Sequence, residues 1–241
     1  MSGEIDLPLP DPGSLKRGRF TYFPVAPGRL EFAIEVRQAI LRDRPQVIAL
    51  ELPATLEQAW MRAVTRLPQM SLIFYPDESS GDDQAIYVPV EPADPFTEAI
   101  RTGLETGAAI VFADPDAGQR PHLKDAYPDT YAVRYIGLTR YIEAYRVYPQ
   151  TRSEEIQRHA AGIAWKLQGT DPLAQVLVVV SLNLLDPVLD AQPCNIDTVI
   201  VDGRILRRAG EFTALDVRQV VREATESVRA LSARASTRPE C

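Results

Sequence analysis

Histidine and cysteine are nearly missing from this chain of 241 residues, which has two of each. His122 and His159 lie far apart, and no His-x-His, His-Glu-x-x-His or Cys-x-x-Cys pattern exists. A multi-histidine metal centre is thereby excluded. Cys194 and Cys241 are too few for a disulfide scaffold and read as free thiols, as expected of a cytoplasmic protein. Also absent are a Gly-x-Ser-x-Gly elbow, a Walker A loop and a Gly-x-Gly-x-x-Gly fingerprint. Acyl-serine chemistry, P-loop nucleotide hydrolysis and Rossmann dinucleotide binding therefore have no support. Basic charge is in deficit: 26 Lys and Arg against 33 Asp and Glu leave a net charge of -7. That balance argues against a protein built to wrap nucleic acid or to sit on anionic lipid. Long apolar runs are missing too, since the longest, Val176 to Leu182, has strand length and falls far short of the roughly 20 residues that span a bilayer. The first residues carry Glu4 and Asp6 and are broken by Pro8, Pro10 and Pro12, unlike a signal peptide. The expected partners exclude nucleic acid and membrane.

What is present is ordinary globular material, 45% hydrophobic and 24% charged. Residues 1–18 are Pro-rich and polar and are expected to form a flexible arm. From Arg19 to residue 192 short apolar runs alternate with helical stripes. Phe20 to Val25 reads as a strand, and Leu30, Ile34, Val36, Ile40 and Leu41 as a helix. Val47 to Leu50 reads as a strand buried on both faces, and Thr55 opens a helix running to about Leu67. Ser71 to Tyr75 and Ala85 to Val90 look like strands around a polar loop. Asp94-Pro95 starts a helix that Gly107 closes, and Ala109 to Phe112 is another buried strand. Long helices follow over Asp129 to Tyr148 and from the Thr151-Arg152-Ser153-Glu154 capping box to about Leu167. Gln175 to Leu182 is the most hydrophobic strand. The order predicts an α/β fold: a layered, mostly parallel sheet with flanking helices. Residues 193–241 read as an appendage, a β-hairpin around Asp202-Gly203 followed by an amphipathic helix. The exposed edges of that hairpin make a homodimer a candidate arrangement.

Ligands of open parallel sheets collect beyond the C-terminal ends of the strands, so acids placed there matter most. Glu51, Glu91, Asp94 and Asp114 hold such positions. Converging carboxylates can serve as general acid and base or hold a divalent metal, for which Glu51 and Asp114 are the candidate ligands. The structural alternatives are equally physical: Asp94 caps a helix, and Glu51 satisfies loop amides or pairs with an arginine. Both histidines are expected in solvated or capping roles. The stretch from Tyr127 to Tyr148 mixes tyrosines with Arg134, Arg140 and Arg146. It reads chiefly as a packing face, with a groove for an anionic or aromatic ligand at Arg134 as the functional alternative.

The runs Pro45-Gln46-Val47-Ile48-Ala49-Leu50-Glu51-Leu52-Pro53, Ile86-Tyr87-Val88-Pro89-Val90-Glu91-Pro92-Ala93-Asp94-Pro95 and Val178-Val179-Val180-Ser181-Leu182-Asn183 resemble the scaffold of the erythromycin esterase, ChaN and TraB/Tiki superfamily, over about Arg19 to Ala191. The resemblance implies a hydrolytic site made by an early Gly-x-x-His-like turn, an acid after the next strand and a late Gly-x-x-His-like turn. Here those turns read Val25-Ala26-Pro27-Gly28 and Ser181-Leu182-Asn183-Leu184, both without histidine, while Glu51 occupies the acid position and Asn183 lies in the late turn as a candidate ligand contact. The tail, Ile196-Asp197-Thr198-Val199-Ile200-Val201-Asp202-Gly203-Arg204-Ile205-Leu206 with Gly210-Glu211-Phe212, is similar to the C-terminal segment of amidohydrolases of the cytosine deaminase and chlorohydrolase group, without their upstream histidines. Three expectations follow. The first is a hydrolase-like protein with a degenerate, carboxylate-lined pocket, metal-assisted or metal-free, acting on a small molecule. The second is a non-catalytic binding or interaction module. The third, resting on the tail alone, is action on C–N bonds.

Overall fold

The computed structural model describes residues 15–76, 85–116, 126–148, 150–191, 199–201, 204–208 and 211–212. The chain divides into two units, Met1–Gln192 and Pro193–Cys241. In the first unit β1 (Lys16–Arg17), β2 (Phe20–Val25), β3 (Val47–Pro53), β6 (Ala109–Asp114) and β7 (Val176–Ser181) form one sheet in the order β1-β2-β7-β3-β6. All pairs are parallel except β1 with β2. β1 falls within the stretch expected to be an arm, where the Tyr22 N–H donates to the Leu15 carbonyl at 2.8 Å.

Hydrophobicity explains the strand order. β7 lies between β2 and β3, and all six of its residues are buried. A strand covered on both faces and both edges needs an unbroken apolar run, and Val-Leu-Val-Val-Val supplies it. Each such side chain is worth about 1.5–3 kcal/mol when fully buried. The connecting helices are α1 (Leu30–Asp43), α2 (Glu57–Val64), α3 (Pro95–Thr106), α6 (Glu154–Gln168) and α7 (Leu182–Asp190). α3 is delimited as its sequence predicts: Asp94 caps it, Pro95 is its first residue, and Gly107 closes it in a left-handed conformation with φ 76°. Gly103 lets α3 approach the sheet closely, since a Cβ there would lie 2.6 Å from Ile110 Cδ1 and 2.8 Å from Ile48 Cδ1. Across α1 and α3, Arg37 and Arg101 both hold Glu98, at 3.0 and 2.6 Å.

β4 (Ser71–Pro76) and β5 (Ala85–Val90) do not join the main sheet; they pair antiparallel as a two-stranded sheet with Ile73 opposite Val88. Other departures concern helix limits. The helix expected from Thr55 begins as a 3₁₀ turn at Ala54–Leu56 and ends at Val64. The expected helix from Asp129 to Tyr148 is broken: a 3₁₀ turn (Thr130–Ala132), α4 (Val133–Ile136) and α5 (Leu138–Tyr145) meet at Gly137, whose φ of 79° interrupts the spiral. Its face is accordingly split. Tyr141, Ile142 and Tyr145 are buried, whereas Tyr131 and Tyr135 are exposed. α6 starts later than the Thr151 capping box implies, with Ser153 as the cap, its Oγ accepting from the Ile156 N–H at 3.3 Å.

In the second unit β8 (Val199–Val201), β9 (Arg204–Arg208) and β10 (Glu211–Phe212) form an antiparallel sheet in the order β10-β9-β8, with Val201 opposite Arg204. The expected terminal helix, His122 and both cysteines lie outside the described residues. Among the described residues no helix is long and apolar enough to cross a membrane.

Candidate functional site

The main parallel strands end along one edge with Val25, Ser181, Pro53 and Asp114. The register between β3 and β6 shifts between Leu50 and Pro53. An irregularity of this kind re-aims side chains at the end of a strand, and Glu51 lies inside it. Glu51 is buried, and the Ser181 N–H donates to its Oε2 at 2.5 Å. The acid position on β3 is thus tied to the first residue of the late turn on β7. The amide that Glu51 satisfies is that of the last residue of β7, a strand end and not the loop amide expected of it.

Beyond this edge lies a cavity of about 330 Å³. Pro27 and Gly28 reach it from the turn after β2, Glu51, Leu52 and Pro53 from β3, and Leu56 and Trp60 from the start of α2. Val88 and Pro89 of β5, then Glu91, Asp94 and Phe96, complete its described lining. Glu51, Glu91 and Asp94 therefore share one site, while the rest of that lining is apolar or main chain. Among these residues there is no Lys, Arg or His, and no Ser, Thr or Cys.

The three acids differ in what already holds them. Both Asp94 oxygens accept main-chain N–H groups at 2.9 Å, Oδ1 from Thr97 and Oδ2 from Gly28. Asp94 is thus both a helix cap and a clamp between α3 and the early turn. Gly28, at φ 67°, suits a tight turn that presents its N–H to a carboxylate. Burial raises the Asp94 pKa above the ordinary aspartate value, opposed by the hydrogen bonds from Thr97 and Gly28. Glu91 is half-buried at the end of β5, and its carbonyl accepts the Asp94 N–H at 3.2 Å.

The other sequence candidates sit elsewhere. Asp114 is buried at the end of β6 but does not line the cavity. Its Oδ1 accepts from the Asp116 N–H at 2.7 Å and lies 3.5 Å from His159 Nδ1. Asp116, itself at φ 55°, accepts from the Thr55 hydroxyl at 2.6 Å. His159 is fully buried, which corrects the solvated or capping role expected for it. Its neighbours in sequence are polar, but α6 turns it inward with Ile156, Ala160 and Ile163. Asn183 is buried at the start of α7 and accepts from the Tyr127 hydroxyl at 3.4 Å. Arg134 is exposed, its guanidinium 5.7 Å from the Tyr131 ring, and does not reach the cavity.

The described residues do not assemble a site for the implied divalent metal. Among the described residues no group of three or more His, Cys, Asp or Glu could hold a metal ion. Of the two candidate ligands, Glu51 lines the cavity and Asp114 does not. Trp60 and Phe96 also line the cavity, and charge at strand ends does not point to either. The stripe Leu56, Trp60, Ala63 and Val64 has helical spacing, and it is the signal that marks Trp60 as inward-facing.

No protein family, curated protein or solved structure matches the chain. The functional reading rests on the site itself.

Proposed function

We propose that this is a hydrolase-like α/β protein whose strand-end cavity takes a compact, largely apolar molecule and presents Glu51 and Glu91 to it as a metal-free acid/base pair. The observation that carries this reading is the arrival of both glutamates, one from β3 and one from the residue after β5, at one small cavity. Glu51, oriented by the Ser181 N–H, accepts a proton from water as its oxygen attacks the substrate's acyl carbon. Glu91 donates a proton to the departing oxygen or nitrogen, and the proton that Glu51 took from water passes to Glu91 to restore the pair. Asp94, with both oxygens engaged, positions the early turn and α3 rather than reacting.

A screen of small esters and amides tests this. The expected result is turnover that falls about 100-fold or more in Glu51→Gln and in Glu91→Gln while the fold is retained. Absence of turnover, or turnover indifferent to both changes, overturns it. The second reading, binding without catalysis, is favoured by the lack of Ser, Thr, Cys or His among the described lining residues. It is supported if a ligand binds the cavity and is recovered unchanged. Beyond Glu51 at the acid position, neither resemblance at the level of sequence adds a catalytic residue, and action on C–N bonds has only the tail behind it.

A further inference from the structure

We infer that the outer edge of β4 is a pairing surface for a second copy of this chain, which adds its own β4 antiparallel and joins the two hairpins into one sheet. The pairing is independent of the chemistry proposed for the cavity. Two prolines fix which groups that edge presents. In the register between β4 and β5, Leu72 stands opposite Pro89 and Pro76 opposite Ala85. Facing residues of an antiparallel pair alternate between those that exchange both N–H···O=C bonds and those that exchange none. Proline has no N–H, so both proline pairs belong to the second kind. The bonded positions are then Ser71 with Val90, Ile73 with Val88 and Tyr75 with Ile86. The N–H and C=O groups of Leu72 and Phe74 therefore point away from β5, toward the outer edge of β4. Among the described residues β4 has no second strand beside it, and no backbone bond from another element reaches Leu72 or Phe74.

β5 cannot offer the same surface. By the same alternation its outward residues are Ala85, Tyr87 and Pro89, and Pro89 interrupts the row of donors, as prolines do on edges protected from pairing. The edge of β4, by contrast, is self-complementary. With Ile73 on a twofold axis, Leu72 of one copy faces Phe74 of the other and the reverse, and each of these pairs has the outward groups needed to exchange both bonds. Pro76 stays outside the bonded pairs. Leu72 and Phe74 are both exposed in the single chain, and the pairing sets them side by side across the two strands as apolar neighbours. Charge along the sequence agrees with the antiparallel sense. β4 itself, Ser-Leu-Ile-Phe-Tyr-Pro, is uncharged, while Arg62 and Arg66 precede it and Asp77 and Glu78 follow it. Antiparallel copies bring the basic approach of each to the acidic exit of the other, whereas a parallel pair sets like charge against like. A two-stranded ribbon is marginal by itself, so the added strands also brace the wall that carries Val88 and Pro89.

Sedimentation velocity of the full chain from about 1 to about 300 µM is expected to show a reversible monomer–dimer equilibrium, as suits a pairing surface at the small end of the size range. Two double variants test the register. Leu72→Lys with Phe74→Lys sets lysine against lysine in both bonded pairs and is expected to weaken the dimer at least about 10-fold. Leu72→Lys with Phe74→Glu removes the same apolar surface but sets lysine against glutamate in both pairs, and is expected to dimerise at least about 10-fold more tightly than the first variant. Hydrogen exchange supplies a second readout. The amides of Ile73 and Tyr75, bonded within the hairpin, are expected to be protected at every concentration, and those of Leu72 and Phe74 only where the dimer forms. A chain that stays monomeric throughout, a dimer that survives the lysine pair, or equal dimerisation of the two double variants overturns the inference. Both positions are exposed, so circular dichroism is expected to show both variants folded. Should the lysine pair unfold, the exchange pattern of the unmodified protein decides: Leu72 and Phe74 amides indifferent to concentration overturn the pairing.

Discussion

Two kinds of β-structure meet at the cavity. β3 is buried along all seven of its residues, whereas the β4–β5 hairpin alternates, with Ile73 and Val90 turned inward and Leu72, Phe74 and Tyr87 exposed at 54%, 64% and 66%. Both regions are rich in β-formers and both abut prolines. The difference comes from what lies on either side. β3 has a parallel partner on each edge and a helix packed close at Gly103, while β4 and β5 pair only with each other and rest on α2. Neighbouring layers, more than composition, decide how much of a strand's hydrophobicity becomes stability. A cavity built between them has one anchored wall, carrying Glu51, and one lightly supported wall, carrying Val88 and Pro89.

The sharpest way to break this comparison is a matched pair of truncations. Leu50→Ala removes a fully buried side chain from β3 and is expected to cost about 2–5 kcal/mol in chemical denaturation. Leu72→Ala on the hairpin is expected to stay within about 0.5 kcal/mol. If the two cost the same, the hairpin is covered by something and the contrast fails. Next in size is the joint between the walls. Asp94→Ala leaves the N–H groups of Thr97 and Gly28 without their acceptor, with an expected loss of about 1–3 kcal/mol. A loss under about 0.5 kcal/mol would show that the clamp is not what holds α3 to the early turn.

A pH prediction sharpens the picture on the helical side. Tyr141 is buried, donates to the Pro128 carbonyl at 2.9 Å and meets the Phe32 ring edge-on at 5.6 Å. Burial first, then the charge of Asp129, pushes its phenol up to about 12. The folded state therefore holds this proton more tightly than the unfolded chain does. The stabilisation is complete below about pH 10 and is lost as the pH climbs toward 12, a swing on the order of 2 kcal/mol. Denaturation curves of Tyr141→Phe should lack that part of the alkaline decline; an unchanged decline refutes the assignment. The smallest effect is expected at the hairpin surface. Phe74 meets Tyr87 edge-on at 5.8 Å in the open, and Phe74→Ser is expected to cost under about 1 kcal/mol by thermal melting.

Strand and helix identities along the first unit were legible because periodicity, proline and caps are local signals. Asp94, Pro95 and Gly107 delimit α3 as read. Where the signal was local but incomplete, the reading failed: a helical spacing of tyrosines ran across Gly137, which interrupts the helix. His159 failed for another reason. Its exposure depends on which face of α6 meets β6, and polar neighbours in sequence do not report that.

For the candidate site, sequence supplied a list of acids at strand ends and the structure sorted it. Which strands become neighbours depends on pairings between residues distant along the chain. The order β2-β7-β3 puts Ser181 beside Glu51, though they lie far apart in sequence. The hairpin and the loop after it bring Glu91 and Asp94 to the same cavity, and the outer position of β6 leaves Asp114 with His159 instead. Composition and patterning by themselves determined an acidic α/β protein without the histidines of a multi-histidine metal site, because burial periodicity and residue chemistry are carried residue by residue. Convergence of side chains on one cavity was decided only by tertiary structure, because it is set by non-local packing that no short window of sequence contains.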